Sequence, residues 1–157
     1  MNKKIFTIFM LLCCCILIVS CSNEDERSSL SVIGTWNATT LIEDKVYTDL
    51  EKEEHNEVEI SYGSYVWEFL ENGDVIVTGS VDGDFKWYEP TDYQTFVFDK
   101  NQMKLLMRFS DASKSPAIYD VLELSDTVMI LRNSAKWLNL GQGEVIITRT
   151  LTLKRIN

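Results

Sequence analysis

Few residues in this chain could carry catalysis or hold a metal, and their spacing limits each of them. There is one histidine, His55, set among Glu51, Glu53, Glu54, Glu57 and Glu59. Imidazole chemistry needs partners that orient the ring, in a triad or around a metal. A lone His among glutamates reads as a solvated surface residue, with at most an incidental metal contact through Glu54 or Glu57. Asp82 and Asp84 flank Gly83. Asp-Gly is what a tight hairpin turn demands, and the spacing lacks the further oxygen ligands of a calcium loop. The serines, Ser28-Ser29 among them, follow no nucleophile-elbow pattern, and no Gly-rich phosphate loop occurs. Carboxylate pairs for glycoside hydrolysis are defined by separation in space, so the 24 acidic residues carry no such signal in one dimension. No catalytic residue, metal ligand or cofactor is assigned, and the chain reads as a non-enzyme.

Cysteine is different. Met1-Asn2-Lys3-Lys4 is a short positive start, and residues 5–19 form an apolar run of signal-peptide length, too short for a typical spanning helix. Ser20 places a small residue immediately before Cys21. Ile18-Val19-Ser20-Cys21 resembles a bacterial lipobox, in which the leader is cut before the Cys and that Cys is lipidated. Cys13, Cys14 and Cys15 are preceded by bulky residues or by Cys. Acyl chains on Cys21 would attach the protein stably, since each buried CH₂ contributes roughly 0.8 kcal/mol. Residues 21–31 then read as lipidated Cys and acidic tether. Ser22-Asn23-Glu24-Asp25-Glu26 resembles the export signal of surface lipoproteins of Bacteroidota, so the expected address is the outer membrane, lipid-anchored, at the cell surface.

Loss of residues 1–20 changes the arithmetic. Of 15 Lys and Arg, Lys3 and Lys4 leave with the leader, so 13 remain against 24 Asp and Glu. An acidic surface of that kind argues against nucleic acid as a partner. No thiol is left beyond Cys21, which excludes disulfides and thiolate ligands. The domain over residues 32–157 must therefore be held by its core, which about 125 residues can supply.

From Val32 onward the pattern is β. Runs rich in Val, Ile, Thr, Tyr, Phe and Trp recur between turn clusters at roughly 8–12-residue intervals. Strands are predicted over residues 32–42, 65–70, 75–80, 85–89, 93–98, 103–109, 118–124, 127–132 and 144–156. In the first, Trp36, Ala38, Thr40 and Ile42 are expected on one face. Asn72-Gly73 marks a hairpin, and Pro90 interrupts the ladder. In the last strand Val145, Ile147, Arg149, Leu151, Leu153 and Arg155 alternate with polar residues. Two segments fit no strand. Residues 44–59 read as a short helix over 50–56 or a loop. Residues 134–143 read as a loop that carries Trp137.

The predicted fold class is all-β, an antiparallel up-and-down β-barrel of about eight strands, which closure protects from exposed edges. Ile33-Gly34-Thr35-Trp36 resembles the Gly-x-Trp opening of lipocalin-type barrels. The string from Tyr119 to Leu131 and the closing Thr150-Leu151-Thr152-Leu153-Lys154-Arg155 resemble the last strands of lipocalin-like lipoproteins of Bacteroidota. The resemblance implies a lipocalin-like barrel in which the Trp of Gly-x-Trp packs under a basic residue of the last strand: Arg149, Lys154 or Arg155.

Aromatic residues are the remaining candidates for a site. By alternation Trp67 and Phe69 share a face, as do Phe85 and Trp87, and all four are expected to point into the barrel. Trp137 is expected at its rim. They either fill the barrel or line a cavity for a small apolar ligand. Two functions follow: a lipid-anchored envelope protein binding a small apolar or amphiphilic molecule, or a packed barrel serving as an interaction subunit of a surface protein complex.

Overall fold

In a computed structural model the chain divides between Leu30 and Ser31, and residues 31–157 form one compact unit. The structure describes residues 30–81, 92–139 and 143–156. The leader, Cys21, the tether up to residue 29, the Asp82–Asp84 turn, the expected strand over 85–89 with Phe85 and Trp87, and Pro90 lie outside the described residues.

Nine strands follow in order: β1 Gly34–Tyr47, β2 Lys52–Glu59, β3 Tyr65–Phe69, β4 Val75–Gly79, β5 Tyr93–Asp99, β6 Lys104–Phe109, β7 Ala117–Leu124, β8 Val128–Asn139 and β9 Gly143–Arg155. All pairings are antiparallel, in the order β4-β3-β1-β9-β8-β7-β6-β5, with β2 also on β1. β2 and β3 lie end to end along the same edge of β1, β2 against Thr40–Tyr47 and β3 against Gly34–Asn37. They act as one second strand broken at residues 60–64. The result is an all-β, up-and-down barrel of eight strands, lipocalin-like in form and nearly closed.

The break is built by a buried polar side chain. Asn37 Oδ1 accepts a hydrogen bond from Gly63 N at 2.6 Å, and Asn37 Nδ2 donates to the Ala38 carbonyl at 2.8 Å. Both ends of its amide are satisfied, which a buried Asn requires. Elsewhere the turns follow their residues. Gly73 has φ 88° after Asn72, whose side-chain oxygen accepts from Asp74 N, and Asp99 caps its turn by accepting from Asn101 N and Gln102 N.

Two expectations are corrected. Residues 44–59 are neither helix nor loop: β1 continues to Tyr47 and turns back into β2. Residues 134–139 are strand, because β8 and β9 pair from Val128↔Lys154 to Asn139↔Gly143. In both, a strand partner supplies ladder hydrogen bonds that local composition does not announce.

A third correction concerns facing. The β1–β9 register shifts between Ala38 and Thr40, so Thr39 is an extra residue. Such a bulge reverses the alternation. Trp36 and Ala38 face inward as expected, but Leu41, Glu43 and Tyr47 are buried beyond the bulge, in place of Thr40 and Ile42. Further shifts occur at 93/95 in β5 and 121/123 in β7. These bends help a sheet curl toward closure.

Candidate functional site

The interior begins at the end where β1 starts. Trp36 is fully buried, and its Nε1 donates to the Val32 carbonyl at 2.8 Å. Of the three basic residues expected near it, Arg155 stacks there, with Cζ 4.2 Å from the ring centroid. Its guanidinium also donates from Nε to Asp126 O at 2.8 Å, from Nη1 to Ile33 O at 2.6 Å and from Nη2 to Ser31 O at 2.9 Å. One side chain thereby ties the last strand to the β7–β8 turn and to the chain entering β1. This end is a structural clasp.

Above it lies an aromatic interior. Trp67 and Phe69 face inward together, their centroids 6.0 Å apart. Trp67 also meets Tyr65 edge-on at 5.9 Å, Tyr119 edge-on at 6.0 Å and Tyr93 at 5.9 Å. Phe69 meets Phe96 at 4.9 Å. The Tyr93 and Tyr119 hydroxyls are 3.0 Å apart and hydrogen-bond to each other. Trp67 Nε1 is buried and has no hydrogen-bond acceptor among the described residues.

These ring contacts coincide with the seam of the barrel. Among the described residues the seam between β4 and β5 is closed by one bridge, from Asp74 just before β4 to Thr95, and by the bond from Phe96 N to Gly73 O at 2.9 Å. The pairs Trp67–Tyr93 and Phe69–Phe96 join β3 to β5 across it. Side chains hold the seam where other strand pairs use a ladder.

Toward the other end comes an ionic layer. Glu43 is 4% exposed. Its Oε2 accepts from Arg149 Nε and Nη2, both at 2.7 Å, and its Oε1 pairs with Lys45 Nζ at 3.0 Å. Glu43 stands opposite Arg149 in the β1–β9 register. A carboxylate so buried is tolerable only when paired and hydrogen-bonded in this way. Past it, Tyr47, Val145 and Ile147 form a second apolar cluster. The Tyr47 hydroxyl donates to Glu54 Oε2 at 3.1 Å. The hydrogen bond from Lys52, with that from Tyr47, holds the Glu54 carboxyl below the usual range against partial desolvation.

Trp137 lies on β8 opposite Val145, on the face that carries Leu131, and is 55% exposed. Of the three expected aromatics within the described residues, Trp67 and Phe69 come together and Trp137 stands at the far end of β8. His55 pairs with Asp44 across β1–β2, Nδ1 to Oδ1 at 2.6 Å, on the exposed surface. Among the described residues no group of three or more His, Cys, Asp or Glu side chains is placed to hold a metal.

The sequence does not announce the ionic layer, nor the meeting of Tyr65, Tyr93 and Tyr119 around Trp67. Arg149 did leave a signal: a charge in the apolar stripe of the last strand implies a buried partner. The partner, Glu43, was hidden by the bulge at Thr39. Comparison with protein-family models, curated proteins and solved structures gives no significant match.

Proposed function

We propose that this protein is a non-catalytic binding barrel, anchored by lipid on Cys21 to the outer membrane at the cell surface, that holds a small apolar or amphiphilic molecule. The observation that carries this reading is the β4–β5 seam. An aromatic interior lies behind β4 and β5, which among the described residues are joined by one bridge, so separating them costs little ladder and gives access to Trp67, Phe69 and Tyr93. The Gly34-x-Trp36 opening and the lipobox resemblance support the same class and address.

A second reading, the interaction subunit, is favoured by a different surface. Val46, Leu50, Trp137 and Leu138 are exposed on the β1–β2 and β8–β9 hairpins, Leu138 by 82%. The hairpin ends are neighbours through the Tyr47↔Val145 and Trp137↔Val145 pairings, and acidic β2 runs alongside.

Native mass spectrometry of residues 22–157 after exposure to extract of the host cell separates the two. The carrier reading expects a retained extra mass that is lost on denaturation. A bare polypeptide overturns it and directs the search to protein partners at the hairpin end. The anchor is tested by Cys21→Ala, which is expected to release the protein from membranes.

A further inference from the structure

Among the described residues two buried polar atoms of the interior make no hydrogen bond, the Tyr65 hydroxyl and Trp67 Nε1, and their rings are neighbours at 5.9 Å. Of the two, Trp67 Nε1 can only donate, and it is buried with no acceptor among the described residues. Leaving a buried donor unmade costs about as much as several net hydrogen bonds contribute, so such groups are rare in folded proteins. The Trp36 indole shows the ordinary solution, a backbone carbonyl at 2.8 Å. Around Trp67 the neighbours are rings: Tyr65 and Tyr119 edge-on, Phe69 and Tyr93 tilted. An N–H directed at a ring recovers only part of what an N–H···O bond does. The Tyr93 and Tyr119 hydroxyls are engaged with each other. The Tyr65 hydroxyl does not bond the indole, so an oxygen placed between the two would serve both groups.

We infer that the barrel takes a molecule with an apolar frame and one hydrogen-bond-acceptor oxygen, of the ketone or ester carbonyl kind, and that this oxygen accepts from Trp67 Nε1. The inference rests on the carrier reading and narrows its ligand class. Pure hydrocarbons match the rings but leave the indole N–H unmade. A carboxylate would bring a charge into an aromatic interior where the described cations are already engaged, Arg149 and Lys45 with Glu43 and Arg155 with three backbone carbonyls. Trp67 stands directly behind the seam, in ring contact with Tyr93 of β5, so a ligand entering there reaches it first.

The test uses two probes of equal chain length, 2-undecanone and n-undecane, on residues 22–157, which contain the whole compact unit. The protein is labelled with ¹⁵N at the indoles and followed by NMR. The ketone is expected to bind about tenfold more tightly than the alkane, the worth of one recovered buried hydrogen bond. The Trp67 indole proton is expected to move downfield with the ketone and not with the alkane. Trp67→Phe is expected to bring the two affinities together. If that variant fails to fold, the indole shift in the unaltered protein still decides. Equal affinities, binding of neither probe, or an indole proton that keeps cross-relaxing with a long-lived water through the titration would each overturn the inference. A host-derived mass retained equally by the unaltered protein and Trp67→Phe would also overturn it while leaving the carrier reading intact.

Discussion

Gly34, Trp36 and Arg155 explain one another. Gly34 has φ +126°, and a Cβ there would lie 2.5 Å from Arg155 Nη1. The glycine leaves room for the guanidinium that stacks on Trp36 and holds three backbone carbonyls. Arg155→Lys keeps a cation over the ring but loses the planar fork, and is expected to cost about 2 kcal/mol in urea unfolding. Gly34→Ala is expected to be destabilising, and less so when combined with Arg155→Lys, because the nitrogen it collides with is gone; a double-mutant cycle measures the coupling. Glu43 is the second residue of this kind. Glu43→Ala removes the buried carboxylate that Arg149 and Lys45 face and is expected to cost on the order of 2–4 kcal/mol. Replacing Glu43 and Arg149 together by Leu is expected to cost less than Glu43→Ala alone, since no unpaired charge remains on that pair. That Trp36 packs under a basic residue of the last strand was implied by the Gly-x-Trp resemblance; the choice of Arg155 was not, because it depends on which residue faces inward at the end of β9.

At the scale of elements, strands with clear alternation and turn residues were legible, among them β3, β4, β6 and the Asn72-Gly73 hairpin. β2 was not. Its residues, Lys52 to Glu59, are nearly all polar and exposed on both faces, and it exists because β1 offers it a ladder. Such a strand is expected to open first. Hydrogen exchange should be fastest in residues 52–59 and slowest in β9, which is paired on both sides by β1 and β8. On the outer surface Asp120 of β7 links to Lys104 of β6 at 2.9 Å and to Arg132 of β8 at 3.4 Å. The hydrogen bond from Lys104 holds the Asp120 carboxyl below its usual value, with a smaller contribution from Arg132. A folded-state value below the unfolded one adds stability above the unfolded value and loses it as pH falls through the folded one. Asp120→Asn is therefore expected to be at most about 1 kcal/mol less stable at neutral pH, the pair being solvent-screened, with the difference vanishing under strongly acidic conditions in thermal melts.

The whole molecule is set by closure. Seven strand neighbours in the ring are joined by ladders; among the described residues the eighth pair, β4 and β5, is closed by one bridge, with ring contacts from β3 to β5 behind it. A disulfide from Asp74→Cys and Thr95→Cys would lock that seam. Directly opposed residues of an antiparallel pair lie within disulfide reach. The bridge encloses roughly 20 residues, so the oxidised form is expected to gain about 3 kcal/mol over the reduced one. On the carrier reading, oxidation should also slow exchange of a bound molecule, and dithiothreitol should restore it.

The sequence by itself determined the all-β class, the meander order and the inward faces of β3 and β9. Alternation at period two and turn chemistry are local, and they survive in one dimension. Tertiary structure alone decided where the phase reverses, which charges are buried and which polar atoms go unmet. One extra residue at Thr39 turns every later side chain of β1 over, and so brings Glu43 rather than Ile42 to Arg149. The Trp67 indole lacks an acceptor because of the rings that β5 and β7 deliver to it, a meeting of residues far apart in the chain.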